Sequence, residues 1–298
     1  MVIDIFLVVA GAFGLILASV TDIKTREVPD LLNYSLVAIG LGLRLIHSLA
    51  SGEWAYFLSG MIGFIIFFAL ALAMFYAGQW GGGDSKLLFG LGALFGSYPV
   101  FLFDYFNPYF RVHFLFAFTI NLLIVGAIFG LVWSTVLSIK RRKKFKKEYK
   151  RLANEKKYKM LQRVVIIVTV VLIVSMVLSP NWYIRLMFFS LIFVAAAMFY
   201  LYFFAKAVER ACMYKRIDPC KLTEGDWIVK DIKIDGKYIC GPRDLGVSNK
   251  AIKRLIAAKK RGKIKKILIK EGVPFVPSFL VAFVITIIWG NVLLLILG

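Results

Sequence analysis

Eight apolar stretches dominate this chain, and each approaches the roughly 20 residues of helix that a bilayer core requires. They cover about residues 2–21, 31–50, 55–77, 85–103, 113–138, 164–180, 184–204 and 274–297. Lipid offers a backbone no hydrogen-bond partners, so such stretches fold as helices that satisfy their own N–H and C=O groups. Only 18% of the residues are charged, against about 25% in a soluble domain, and the charges are gathered in blocks between the apolar runs. The second stretch carries Arg44 and His47, and the sixth is short. The start, Met1-Val2-Ile3-Asp4, lacks the positive region of a cleaved secretory signal, so the first stretch is expected to remain as a membrane helix.

Lysine and arginine placement orients the helices, because cytoplasmic loops carry the positive excess. Eight spans put segments 22–30, 78–84 (with Lys86), 139–163 and 205–273 on one side. That side holds all of the 38 lysines and arginines except Arg44, Arg111 and Arg185. It is therefore read as cytoplasmic, with both termini outside and the chain in the plasma membrane. The net charge of +21 then sits next to the bilayer, as in Lys140-Arg141-Arg142-Lys143-Lys144. Anionic lipid head groups are the expected partner, at about 1 kcal/mol per basic residue near the surface, rather than nucleic acid.

The expected fold class is an all-α polytopic membrane protein of about eight transmembrane helices, with a small cytoplasmic α+β insert before the last. Residues 1–138 form a membrane core of about five helices and 139–163 a basic cytoplasmic linker. A transmembrane pair follows at 164–204, turning at Ser179-Pro180-Asn181, then the insert at 205–273 and the final helix at 274–298. Within the insert, Trp227–Ile234 alternates like a strand and Asp235-Gly236 signals a hairpin before Lys237–Cys240. Ser248 is placed to cap a helix reaching about Lys260, and Ile264–Ile269 reads as a further strand. Cys212, Cys220 and Cys240 match no zinc spacing, and in a reducing compartment they are expected as free thiols. No metal or other cofactor is implied, and His47 and His113 fall toward the outer side.

Two short cytoplasmic segments carry the chemistry. One reads Thr21-Asp22-Ile23-Lys24-Thr25-Arg26-Glu27-Val28-Pro29-Asp30; the other reads Gly81-Gly82-Gly83-Asp84-Ser85-Lys86. Ionisable groups at the end of a membrane helix are candidates for function. Two neighbouring carboxyls do not both ionise easily, so one holds a proton while the other stays charged. The charged one can take a proton from water while the neutral one donates to a scissile carbonyl, which hydrolyses a peptide without metal, serine or cysteine. Gly81, Gly82 and Gly83 leave room for an extended substrate backbone and permit dihedrals closed to other residues. Plainer readings also fit: Asp84 as a helix N-cap, Asp22 as a loop charge, Asp30 as a cap on the second helix, and Lys24, Arg26 and Lys86 as topology anchors.

Asp22 followed by Pro29-Asp30, then Gly81, Gly83 and Asp84 of a Gly-x-Gly-Asp signature with Lys86 after it, resembles the type IV prepilin peptidases and the archaeal preflagellin peptidases among them. The resemblance spans about residues 15–96, and Gly272-Val273-Pro274-Phe275-Val276-Pro277 is similar to archaeal members. It implies an aspartic endopeptidase that cuts a short basic leader from prepilin-like or prearchaellin precursors at the cytoplasmic face, with Asp22 and Asp84 as the catalytic pair. The first loop lacks the cysteine-bearing domain of many bacterial members, which argues against N-methylation of the product. For a basic leader, Glu27 and Asp30 are the acids available to seat its charge. A presenilin-like or signal-peptide-peptidase-like protease is the nearest alternative, but Tyr-Asp before the glycine loop and Pro-Ala-Leu near the end are absent. A transporter or assembly scaffold is the other; its polar groups would lie at mid-membrane in broken helices, whereas these aspartates lie at the edge.

Overall fold

The computed structural model describes residues 2–106, 108 and 112–297; Arg111, counted above on the sparsely charged side, lies outside the described residues. The chain is a mostly helical multi-pass membrane protein. Five helices open it: α1 (Val2–Thr25), α2 (Asp30–Ser51), α3 (Trp54–Tyr76), α4 (Gly82–Leu94) and α5 (Phe114–Lys140). Then come α6 (Arg142–Asn154), α7 (Lys156–Leu178) and α8 (Trp182–Val208). The insert holds β1 (Tyr214–Ile217), β2 (Trp227–Ile228), β3 (Ile232–Ile234), β4 (Lys237–Cys240), α9 (Asn249–Lys260) and β5 (Ile267–Lys270), and the chain closes with α10 (Val276–Trp289) and α11 (Val292–Leu297).

Among the described residues, six helices are long and apolar enough to cross a membrane: α1, α2, α3, α5, α7 and α8. The two others expected from hydropathy are shorter than the sequence suggests. Helix α4 stops at Leu94 instead of running to 103, because Gly96-Ser97-Tyr98-Pro99 follows and Pro99 supplies no N–H. The final stretch breaks at Gly290 (φ 75°, ψ −131°). Asn121 on α5 spans that break: its Nδ2 donates to Thr286 Oγ1 (2.9 Å) and Gly290 O (2.7 Å), and its Oδ1 accepts from Val292 N–H (3.2 Å).

Helices α1, α3, α4, α5 and α10 enclose one core built from Leu15, Phe67, Leu91, Phe95, Phe118 and Phe279 with their neighbours. Helices α3 and α4 touch backbone to backbone. A Cβ added to Gly63 would lie 2.3 Å from Gly92 O, and one added to Gly96 would lie 2.0 Å from Ser59 O. Small residues permit this approach between membrane helices. Arg44 locks the far end of the same layer. It is 1% exposed, and it donates to Leu94 O (2.8 Å), Ser59 Oγ (2.8 Å) and Tyr56 O (3.0 Å). The cation that weakened the second apolar stretch therefore satisfies a carbonyl at the end of α4.

The basic segment 139–163 is not an open linker. It folds as α6 and the first turns of α7, because Leu152 and Tyr158 bury against Phe203 and Ala207 of α8. Glu155 pairs with Arg210 at 2.6 Å beside them. Above the membrane region the insert forms an antiparallel sheet, β1-β5-β2, and a separate β3–β4 hairpin. The expected strand 227–234 is therefore split into β2 and β3, and the strand expected at 264–269 begins at Ile267. Asp235 (φ 52°) and Gly236 (φ 76°) make the hairpin turn as predicted. Ser248 caps α9 by accepting from Ala251 N–H (3.3 Å). Cys212, Cys220 and Cys240 are free thiols.

Candidate active site

Helix α1 extends one turn beyond the expected boundary, so Asp22 lies in its last turn rather than in a loop. Arg26, with φ 63°, ends the helix, and its N–H returns to Asp22 O at 2.9 Å. The Asp22 residue is 5% exposed. Its Oδ2 accepts from the N–H of Val276 at 2.9 Å, in the first turn of α10, and the Phe275 amide is directed at the same carboxylate. The Arg26 guanidinium acts on that carboxylate electrostatically and lies over the Trp133 ring, 5.2 Å from its centroid.

Asp84 arrives from the opposite side on α4. It is the third residue of the helix, not its N-cap; Gly81 holds the cap position in extended conformation. The Asp84 Oδ2 accepts from Gly81 N–H at 3.1 Å, one half of a capping box. Asp22 and Asp84 are close enough that the charge of one acts on the other.

The unusual dihedrals expected of the three glycines are not adopted. Neither Gly81, Gly82 nor Gly83 adopts positive φ; in this loop Gly78 does, at 66°. Gly83 is needed for approach, since a Cβ there would meet Val28 N at 3.2 Å and Val28 Cβ at 3.3 Å. That contact brings the two aspartate-bearing segments together. Lys86 makes the second link between them by pairing with Asp30. Asp30 therefore neither caps α2, where Pro29 occupies the cap position without a side-chain bond, nor stands unpaired. Glu27 remains exposed.

Four participants gave little signal in the sequence. Trp80, 7% exposed, packs against Phe275 and Phe279 with ring centroids 6.0 and 5.6 Å apart, which fastens the glycine loop to α10. The Val276 amide is backbone and has no residue-type signature; the prolines on either side, Pro274 and Pro277, were its only trace. The other two come from the insert. The Trp227 indole lies 3.6 Å from where a Gly78 Cβ would be. Burial raises the Asp226 carboxyl above its ordinary value, against a bond from the Thr223 amide, and the nearby Glu27 and Glu271 add to the rise. The insert thus leans on both aspartate-bearing loops.

Residues 9–135 match the type IV leader peptidase family. The matched residues contain Asp22, Asp84 and the glycine loop, and they end before the insert and α10. The chain is 42% identical over 90 residues to a preflagellin peptidase of Methanocaldococcus jannaschii, covering 30% of this chain and 38% of the relative. It is 33% identical over 130 residues to the preflagellin peptidase of Methanococcus voltae, covering 44% and 55%. With that of Methanococcus maripaludis it shares 32% over 121 residues, covering 41% and 52%. The chain thus spans about half or less of the length of these relatives. No solved structure matches it.

Proposed function

We propose that this protein is a membrane aspartic endopeptidase that removes the short basic leader from prepilin-like precursors, prearchaellins foremost, at the cytoplasmic face of the membrane. One observation carries the reading: the segments that bear Asp22 and Asp84 meet, with Gly83 against Val28 and Lys86 paired with Asp30, inside the region that matches the leader peptidases.

The chemistry follows from sharing one proton between the two carboxyls, a titration that belongs to the pair. A water between them gives a proton to the ionised carboxylate while its oxygen attacks the scissile carbonyl carbon. The protonated carboxyl donates to the carbonyl oxygen, giving a neutral tetrahedral diol. On collapse, one diol hydroxyl gives its proton to the carboxylate then ionised, and the carboxyl that took the water proton passes it to the leaving amide nitrogen, so the C–N bond breaks and the pair again shares one proton. Val28, packed against Gly83, and Trp80, packed against Phe275, are buried beside the segments that carry the pair, while Asp84 is half-buried.

The positive-side count favours both aspartates on the cytoplasmic side with the termini outside. The basic faces of α6 and the insert are read as resting on anionic lipid. For the leader, Glu27 with Asp226 is the preferred acidic contact, because Asp30 is already paired with Lys86. Purified full-length protein in liposomes is expected to cut a prearchaellin between its basic leader and its hydrophobic helix, with both product ends read by mass spectrometry. It is expected to cut a precursor with an acidic leader at least tenfold more slowly. Uncut precursor, or cleavage elsewhere in the chain, would contradict the proposal.

A further inference from the structure

The two carboxyls of the pair are not held alike. Asp22 Oδ2 accepts the Val276 N–H at 2.9 Å in a buried contact, with the Phe275 amide directed at the same group and the Arg26 guanidinium beside it. These amides belong to the start of α10, whose N-terminal N–H groups have no partner within the helix and present partial positive charge. Asp84 instead accepts from Gly81 N–H at 3.1 Å, within its own loop. Among the described charged groups around the two loops, Glu27 and Glu271 act on Asp226 of the insert. Arg26 comes from α1, and α2 and α4 contribute Asp30 and Lys86, which neutralise one another. Helix α10 carries no charged side chain along Val276–Trp289.

We infer that the first turn of α10 makes Asp22 the ionised member of the pair, so that Asp22 takes the proton from water and Asp84 carries the proton given to the scissile carbonyl. The Val276 amide is then a positioning group that acts through Asp22. This inference rests on the leader-peptidase reading. It gives the segment Gly272–Pro277, which lies outside the matched region, a part in the reaction. Pro277 suits that part, because at the second helical position it leaves no further amide of its own to satisfy. Residues 271–275, five in all, connect β5 to α10, so the insert is tied mechanically to the group that holds Asp22.

Backbone esters test the assignment without changing a side chain. The full-length protein is made in liposomes with the Val276 amide replaced by an ester, and separately with the Gly81 amide replaced. Cleavage of a prearchaellin is followed against pH. The acid limb reports the group that must be ionised and the alkaline limb the group that must hold a proton. Loss of the Val276 N–H is expected to move the acid limb up by about one pH unit, since a bond to a charged acceptor is of that size. Loss of the Gly81 N–H is expected to move the alkaline limb up instead. An ester at Val281, farther along α10, should leave both limbs in place. Esters that exchange these effects, or a Val276 ester that shifts neither limb, would overturn the assignment. If Asp22→Asn or Asp84→Asn cleaves normally, the leader-peptidase reading itself fails, and the two failures are told apart.

Discussion

A methyl group at Gly63 probes how firmly the membrane core fixes Asp84. Gly63 faces Gly92 across the α3–α4 contact, and a Cβ there would lie 2.3 Å from Gly92 O and 2.7 Å from Gly96 Cα. An ordinary contact needs roughly 3.4 Å, so Gly63→Ala must part the two helices by about 1 Å or twist α4 by a comparable amount. Overpacking of this kind costs about 1–3 kcal/mol. Asp84 lies two turns from Gly92 on the same short helix, and its opposite carboxyl sits on α1. A displacement of about 1 Å at a reacting group can lower a rate by about 100-fold. Gly63→Ala is therefore expected to lower kcat for precursor cleavage by about 10- to 100-fold with little change in KM. The thermal midpoint of the protein in detergent should fall as well. Gly42→Ala is the control, since nothing lies within 4 Å of a Cβ at Gly42, and it should match the wild type in both. If Gly63→Ala cleaves within twofold of the wild type, the close α3–α4 approach does not set the position of Asp84.

Three further outcomes are expected. Arg44→Met should destabilise the protein by roughly 3 kcal/mol, because a buried hydrogen-bonded charge is removed and its acceptors, Leu94 O among them, lose their donor; unfolding in detergent reads this, and Arg44→Lys should recover only part. The Asp30–Lys86 pair is partly exposed, so Lys86→Ala should cost at most about 1 kcal/mol of stability; an Asp30→Lys, Lys86→Asp exchange should restore cleavage lost in either single change. In the insert, the Lys259 ammonium and the Cys220 amide hold the Asp218 carboxyl down at about 2. A group depressed on folding contributes stability that is present above its unfolded value, near 4, and is lost as pH falls through 2; Lys259→Ala should remove that acid dependence from the hydrogen-exchange protection of α9.

The apolar stretches were legible because lipid imposes length and composition on every span. The Asp235-Gly236 turn and the Ser248 cap were legible for a local reason: each depends on residues within a few positions of itself. What hydropathy missed was tertiary. Gly96 and Pro99 end α4 inside a run that is still apolar to residue 103. The segment 139–163 is helical only because α8 offers Phe203 and Ala207 to pack against. Asp22 and Asp84 stand out as residues, but the group that holds Asp22 is a backbone amide more than 250 positions away, and no side-chain pattern announces it. Asp30 looks like a substrate contact in the sequence because nothing local shows that its partner is Lys86, a residue that reads equally well as a topology anchor.

The central claim is that Asp22 and Asp84 act as one unit. Single-turnover cleavage of a prearchaellin by wild type, Asp22→Asn, Asp84→Asn and the double variant, all in liposomes, tests it most directly. Each single change is expected to lower the rate by at least about 1,000-fold, and the double change no further, as for groups that work together. Cleavage by either single variant at the wild-type rate, or losses that multiply in the double variant, would contradict it.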